Sequence, residues 1–518
     1  MGRSLTGTER GPVTPDVEEL HRRKLAWVKQ GHPGPVPSNV AWLEALPPEE
    51  RARQRVRVRR KPTRTLSGVA VVAVMTAPAA CPHGRCTYCP GGLESRSPQS
   101  YTGEEPSALR GAQFHYDARA ITQHRLESLE TIGHPTSKVE VILMGGTFPS
   151  RPRAYRLSVF QGVFDGLNGV SSPDLASAQR TNETASHRCV SLTVETRPDW
   201  CDQRILPELL EAGVTRVEIG VECLRDDVLA AVGRAHGTED VVNATREARD
   251  QGLKVCYHWM LGLPGMDPDR DFGDFERLWD DPRYRPDMLK IYPTLVLPGT
   301  GLYDEWKAGR YSPYSLEVAT ELIARIKAVV PRWVRIQRIQ RDIPARLIAA
   351  GVRAGNLRQQ AQRRMVSVGQ RCQCLRCREV GRREPSSPSS FELTETQYPA
   401  SGGTEVFLSF EDISSGAFVG FLRMRFPSDA SPPGLPGPVI RELKVVGSEV
   451  PVGERASAYD GGFQHTGFGA RLVARAEELA RDAGFSRLYV LSAVGTREYY
   501  RRLGYGPEGP HMWKPLST

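Results

Sequence analysis

From Ser67 onward, short apolar runs rich in β-branched residues alternate with longer amphipathic stretches. The runs are GVAVVAV (68–74), VEVILM (139–144), SLTVET (191–196), RVEIGVE (216–222), KVCYHWML (254–261), MLKIYPT (288–294) and WVRIQRI (333–339). Several are continuously apolar, as parallel strands covered on both faces must be. Between them, EDVVNATREARDQG (239–252) and LEVATELIARIKAVV (316–330) carry helical periodicity. This alternation predicts an α/β fold, either a βα barrel or a doubly wound sheet. The polar stretch SSPDLASAQRTNETASH (171–187) is expected to be a solvent loop. After a Pro/Ser linker, REPSSPSSFE (383–392), the pattern changes to meander-like strands, EVFLSFED and AFVGFLRMRF, followed by a helix. SDASPPGLPGP (428–438) reads as a loop within that last unit. The expected domains are an arm (1–65), a barrel (66–360), a linker (361–390) and an α+β domain (391–518).

Charged residues make up 25% of the chain and hydrophobic ones 39%, the balance of a globular protein. No apolar run approaches the roughly 20 residues that span a bilayer. The first 20 residues lack the apolar centre of a signal peptide. A soluble, cytoplasmic protein with no membrane partner is expected. The net charge of +9 is unevenly placed, with eight Lys or Arg and no acidic residue in 51–64. Such a run serves either as a solvated arm or as a sleeve for a polyanion held through its phosphates.

Six of the ten cysteines fall in two tight clusters. CPHGRCTYCPGG places Cys81, Cys86 and Cys89 in one loop directly after the first strand. Three thiolates there can hold three irons of a 4Fe-4S cluster and leave the fourth iron open, or they can hold zinc. Gly145, Gly146 and Thr147 follow the second strand. Glu195 and Glu222 lie at strand C-termini, which point into the mouth of a barrel. CQCLRC gives the second cluster, Cys372, Cys374 and Cys377, a set that suits structural zinc with a fourth ligand not visible nearby. Arg363, Arg364, Arg371, Arg376 and Arg378 make this linker basic.

Gln464, His465, Thr466, Gly467, Phe468 and Gly469 form a Gly-rich turn before the helix ARLVARAEELARDAG. A turn of this kind offers free N–H groups and a helix dipole to a pyrophosphate. The pattern resembles the acetyl-CoA loop of GNAT acetyltransferases. By that likeness Tyr499 or Tyr500 lies near the thioester sulfur, and Glu442, on the preceding strand, is a further site candidate.

CPHGRCTYCPGG, QSYTGEEPSALR (99–110), MGGTFPS (144–150), ETRPDW (195–200), LKIYPTLVLPGTGLYDEWKAGRY (289–311) and IPARLIAAGVRAGNLRQ (343–359) together resemble the Elongator catalytic subunit family. The resemblance implies a partial radical S-adenosylmethionine (SAM) barrel, a zinc-binding linker and a GNAT-type domain. It implies 4Fe-4S, SAM, acetyl-CoA and zinc as cofactors. It also implies tRNA as partner, with Lys290 and Tyr292, taken to lie on the last barrel strand, in the substrate cleft. In such a reaction a 5′-deoxyadenosyl radical takes hydrogen from the acetyl methyl, and the carbon radical adds to carbon 5 of the wobble uridine. Thioester hydrolysis then leaves a carboxymethyl group. The alternatives are a protein lysine acetyltransferase with a structural metal cluster and a non-catalytic RNA scaffold. A homo-oligomer or accessory subunits are compatible with the sequence, which names neither.

Overall fold

The computed structural model describes residues 64–385, 390–429, 435–447, 450 and 463–516, with Arg22, Ala26, Lys29 and Gln30 besides. Nearly all of the basic run 51–64 lies outside the described residues. The first sheet comprises β1 (Ala70–Met75), β2 (Lys138–Met144), β3 (Arg188–Thr196), β4 (Arg216–Glu222), β5 (Lys254–Leu261), β6 (Met288–Pro293) and β7 (Arg335–Ile339). Its strand order is sequential and every neighbouring pair is parallel. Crossovers that always step the same way put every helix on one face and curl the sheet. That selects the barrel over the doubly wound sheet. The sheet stays open between β1 and β7. Lys290 and Tyr292 therefore lie on the sixth of seven strands, not the last.

The outer face of the sheet packs against helices through Phe160, Phe164, Leu322 and Ile326, all fully buried. The inner face differs: Glu140, Arg216, Glu218 and Lys290 are buried charges at alternate strand positions. Alternation explains this division, because successive side chains of a strand point to opposite faces.

The stretch 171–187 is not a plain loop. It contains the helix Leu175–Asn182, whose N-cap Asp174 accepts a hydrogen bond from the Ser177 amide. Ala178, Gln179 and Asn182 are buried, and the Asn182 side chain ties to Asn168 and to the His187 carbonyl. The polar composition that suggested solvent instead satisfies neighbouring chain ends.

The second sheet contains β8 (Phe391–Ala400), β9 (Gly403–Asp412), β10 (Phe418–Phe426), β11 (Val439–Val445), β12 (Arg487–Val490), β13 (Gly506–Glu508) and β14 (His511–Pro515), with the helix Phe468–Asp482 against it. Its order is β13-β14-β12-β11-β10-β9-β8. All pairs are antiparallel except β11 with β12, which are parallel and joined at only two residue pairs, Val439↔Tyr489 and Ile440↔Val490. Beyond Ile440 the two strands splay apart and open a cleft.

The domains meet through buried ion pairs. Arg441 of β11 forms a two-pronged pair with Asp287 at 2.7 and 2.8 Å and also reaches Glu405 at 2.6 Å. Arg425 of β10 meets Asp250 at 2.7 Å. Trp333 stacks on Tyr398 with ring centroids 4.2 Å apart.

Candidate active sites at the two ends of the barrel

Side chains at the C-terminal ends of the barrel strands line one cavity with the loop after β1. Cys81, Cys86, Cys89, Gly146, Thr147, Glu195 and Glu222 all border it, as does Tyr292. Arg234 reaches toward the Cys86 sulfur at 3.9 Å and toward Glu222 at 3.4 Å. Burial pushes the Cys86 thiol up, while the Arg234 guanidinium draws it back. Glu222 carries φ of 69°, a left-handed backbone that non-glycine residues adopt rarely and mostly where structure enforces it. His83 stands between two of the thiols, 3.0 Å from Cys81 and 3.2 Å from Cys86.

The two cysteine clusters differ in spacing. Thiolates on one zinc ion stand about 3.8 Å apart, given Zn–S bonds of about 2.3 Å. The sulfurs of Cys372, Cys374 and Cys377 all lie within 4.8 Å of one another, as one ion requires. Among the described residues Cys81, Cys86 and Cys89 form no such tight group and are instead spread round a cavity. One thiol per iron of a multi-iron cluster fits that spread.

Glu195 closes the glycine turn. Its carboxylate accepts from the Gly145 and Gly146 amides at 3.0 and 3.4 Å and from the Tyr101 hydroxyl at 2.9 Å. A Cβ at Gly145 would lie 2.2 Å from Thr76 Oγ1, so the approach of the two loops demands glycine. Below this ring Lys290 pairs with Glu218, which also accepts from His258 at 3.0 Å. Burial works against the Lys290 cation, but Glu218 together with Tyr292, Glu195 and Cys256 more than offsets it, so the lysine stays charged. Glu195, Glu218 and His258 could themselves hold a cation, but the Lys290 ammonium already supplies positive charge there.

The second cavity is far larger, about 620 Å³, and lies at the other end of the barrel. Its floor is the set of strand N-termini, with Lys138, Glu140, Arg216, Lys254 and Arg335; its roof is β11, the turn 463–470 and Tyr499. Gly467 has φ of 96° at the N-cap of the helix Phe468–Asp482, where no side chain caps the first turn. The free N–H groups of that turn border the cavity, where they could receive an anion.

The individual residues of this turn separate by role. The Gln464 amide donates to Val445 O at 2.9 Å, accepts from the Val450 amide at 3.0 Å, and pairs with Lys138, bolting the turn to the barrel. His465 approaches Val450 O at 3.4 Å, and Thr466 donates to Phe463 O at 2.5 Å. Phe468 packs on Phe410 at 5.0 Å. Gly469 is where close approach matters, since a Cβ there would lie 2.8 Å from the Tyr499 hydroxyl. That hydroxyl is buried with no hydrogen-bond partner among the described residues, and burial pushes it up to about 12. Tyr500 instead packs in the core against Tyr505 at 5.8 Å. Glu442 lines the cavity, but its carboxylate is tied to Arg423 at 2.9 Å.

Sequence reasoning missed the barrel's share of this cavity. Lys254 is the clearest case: burial draws it down to about 8, with Glu442 opposing. Glu140, Arg216 and Lys444 form a chain beside it, with Arg216–Glu140 at 2.5 Å and Lys444–Glu140 at 4.0 Å. The available signal was charge at inward-facing positions of otherwise apolar strands.

The cysteine knot 372–377 sits where the cores join. Cys372 and Cys374 pack in the barrel core while Leu375 belongs to the other. Leu375 N donates to Val334 O at 2.9 Å and Val380 N to Phe418 O at 3.1 Å, one link to each domain.

Residues 77–277 match the radical SAM superfamily, 286–367 the radical SAM C-terminal domain, and 376–505 the acetyltransferase (GNAT) family. The chain is 44% identical over 492 residues to the tRNA uridine(34) acetyltransferase of Methanocaldococcus jannaschii, covering 93% of this chain and 91% of that protein. It is 47% identical over 466 residues to that of Dehalococcoides mccartyi, covering 88% and 100%. Elongator complex protein 3 of Homo sapiens is 43% identical over 496 residues, covering 93% and 90%. The solved structure of archaeal Elp3 from Methanocaldococcus infernus superposes with a TM-score of 0.77 at 40% identity, covering 87% of this chain and 100% of that one. With both domains and nearly the whole length accounted for, the chain belongs to the family of tRNA uridine(34) acetyltransferases and Elongator complex protein 3.

Proposed function

We propose that the protein modifies the wobble uridine of tRNA, attaching a carboxymethyl group at carbon 5 with acetyl-CoA as donor. The observation that carries this reading is the pairing of a three-thiol cavity with an acyl cavity on one barrel. Cys81, Cys86 and Cys89 would hold a 4Fe-4S cluster whose reductive cleavage of SAM supplies a radical able to take hydrogen from the acetyl methyl. Gly146, Thr147, Glu195 and Glu222 border the space for SAM. The turn 464–469 would receive the pyrophosphate of acetyl-CoA, with the thioester in the splay between β11 and β12. Lys290 and Tyr292 would face the base, one as a fixed cation and the other as a neutral hydroxyl. The basic arm and linker would hold the tRNA backbone.

Anaerobic incubation with tRNA, acetyl-CoA, SAM and a reductant, followed by nucleoside mass spectrometry, tests the reading. A carboxymethylated uridine is expected. Acetylated protein with unaltered nucleosides would replace the reading with that of a lysine acetyltransferase.

Of the two tyrosines, Tyr499 would be the one to hand a proton to the departing sulfur, because its hydroxyl, unpartnered among the described residues, lies beside the Gly-rich turn. Tyr499→Phe is expected to lower turnover by about a hundredfold or more with acetyl-CoA affinity retained. Tyr500→Phe should stay near the wild-type rate, because its hydroxyl serves packing. Equal losses in the two variants would remove the assignment.

Zinc at Cys372, Cys374 and Cys377 would act as a clamp, since its binding free energy is folding free energy. Cys374→Ser is then expected to lower the melting temperature and release zinc measurable by mass spectrometry. Full stability in a zinc-free protein would dismiss the clamp.

A further inference from the structure

The reaction proposed above requires the acetyl methyl to meet the SAM-derived carbon, yet the two cavities open at opposite ends of one barrel. The wall between them is thin. On β3 Ser191 borders the acyl cavity and Glu195 the cluster cavity, with Thr193 the one inward residue between. On β5 Cys256 separates Lys254 from His258, and on β6 Lys290 separates Met288 from Tyr292. On β4 the two linings are adjacent inward positions, Arg216 and Glu218, only about 7 Å apart along the strand. One layer of side chains, Thr193, Cys256 and Lys290, therefore divides the cavities, and on β4 the contact of Arg216 with Glu218 closes it.

The chemistry of this layer is not that of a packing layer. A barrel lumen filled for stability holds bulky branched apolar residues. Here it holds an acid, a base, a thiol and a hydroxyl, and burying charges is unfavourable until pairing offsets it. Pairing is also incomplete. Thr193 Oγ1, Glu218 Oε1 and Arg216 Nε and Nη2 are buried with no hydrogen-bond partner among the described residues, although Arg216 and Glu218 attract each other at 3.3 Å. Glu218 and Arg216 are not stranded when Lys290 moves: Glu218 keeps His258 and Arg216, and Arg216 keeps Glu140.

We propose that the barrel lumen is a passage, and that the acetyl-pantetheine end of acetyl-CoA crosses this layer to reach the radical site. The inference rests on the function proposed above. The orphaned donors and acceptors are partners for the amides and carbonyl of that arm. The splay between β11 and β12 aims the arm at the opening, because Glu442 and Lys444 of β11 border the same cavity as Arg216 and Lys254.

The test is to plug the layer. Thr193→Leu and Cys256→Leu add bulk between the cavities; Thr193→Ser keeps the hydroxyl without added bulk and serves as control. Each holoenzyme is given tRNA, SAM, reductant and methyl-deuterated acetyl-CoA. In the plugged variants deuterium transfer to 5′-deoxyadenosine is expected to fall by about a hundredfold, the cost of misplacing a reactant by an ångström or more. Acetyl-CoA binding and SAM cleavage without acetyl-CoA should remain at wild-type levels, and the control should transfer normally. Undiminished transfer in plugged protein with wild-type melting would overturn the passage. If the plugged variants fail to fold, the wild-type holoenzyme decides it with a diazirine-bearing acyl-CoA. Adducts on Glu218, Cys256, Lys290 or Tyr292 support the passage; adducts confined to Glu442, Lys444 and Tyr499 reject it. A wild type that labels the layer but transfers no deuterium would sink the functional reading and leave the passage standing.

Discussion

Cys86→Ala or Cys89→Ala is expected to remove the brown iron–sulfur absorbance and reduce tRNA modification to background, with the fold intact. Both thiols are nearly buried, so alanine leaves only a small void, a cost of about 1 kcal/mol on the scale of single-methyl deletions. The chemical loss is of another order. Three thiolates are the minimum that leaves one iron of four open, and no nearby residue substitutes well. His83 is within hydrogen-bond reach of Cys81 and Cys86, but it already stands between their sulfurs and would have to turn aside for a cluster to seat. Iron content, absorbance and nucleoside analysis on anaerobically reconstituted protein read the outcome. A Cys86→Ala protein with full iron and full modification would mean that this loop does not hold the cluster.

Local chemistry was legible in the sequence wherever one segment supplies a whole function. The three-thiol loop, the CQCLRC knot and the Gly-rich turn are each contiguous, and each stands where a strand or helix terminus directs it. β4 and β5 begin and end where the β-branched runs do, because every one of their positions is buried or half-buried and even the inward charges keep the strand alternation. Two kinds of feature were not legible. The helix Leu175–Asn182 is polar because it serves buried chain ends, and composition cannot distinguish that from solvent exposure. The floor of the acyl cavity is assembled from the first residues of strands separated by up to two hundred positions. Lys138, Arg216, Lys254 and Arg335 are each an unremarkable basic residue until the barrel brings them under β11. Gln464 shows the converse: read as a cofactor contact from its turn, it spends its amide joining that turn to Lys138 and Val445.

The junction between the domains gives the largest expected stability effect. Asp287→Asn is expected to destabilise the protein by about 3–5 kcal/mol, the cost of leaving a buried charge uncompensated. Asp287 is fully buried directly before β6 and faces Arg249 at 3.5 Å, Arg423 at 3.7 Å and Arg441 at 2.7 Å. Burial alone would raise its pKa, but Arg441, Arg249 and Arg423 hold it well below the usual carboxylate range. Asparagine keeps the shape and removes the charge, stranding three guanidiniums with Glu405 and Glu442 as their remaining carboxylate partners. By contrast, breaking the exposed pair Arg310–Glu305 should change stability little, although its ions are 2.6 Å apart, because water screens it. The same group sets a pH dependence. A carboxyl depressed in the folded state stabilises above its unfolded pKa, and that contribution is lost as pH falls toward the folded value. Glu140 behaves likewise: burial would raise it, but Arg216 and Lys444 bring it to about 2. The wild type should therefore lose stability progressively below the ordinary carboxylate range, and Asp287→Asn should show a shallower acid slope along with its lower melting temperature. Denaturant titrations of the full chain across that range measure both. An Asp287→Asn protein as stable as the wild type, with an unchanged slope, would show that the arginines do not depend on this carboxylate.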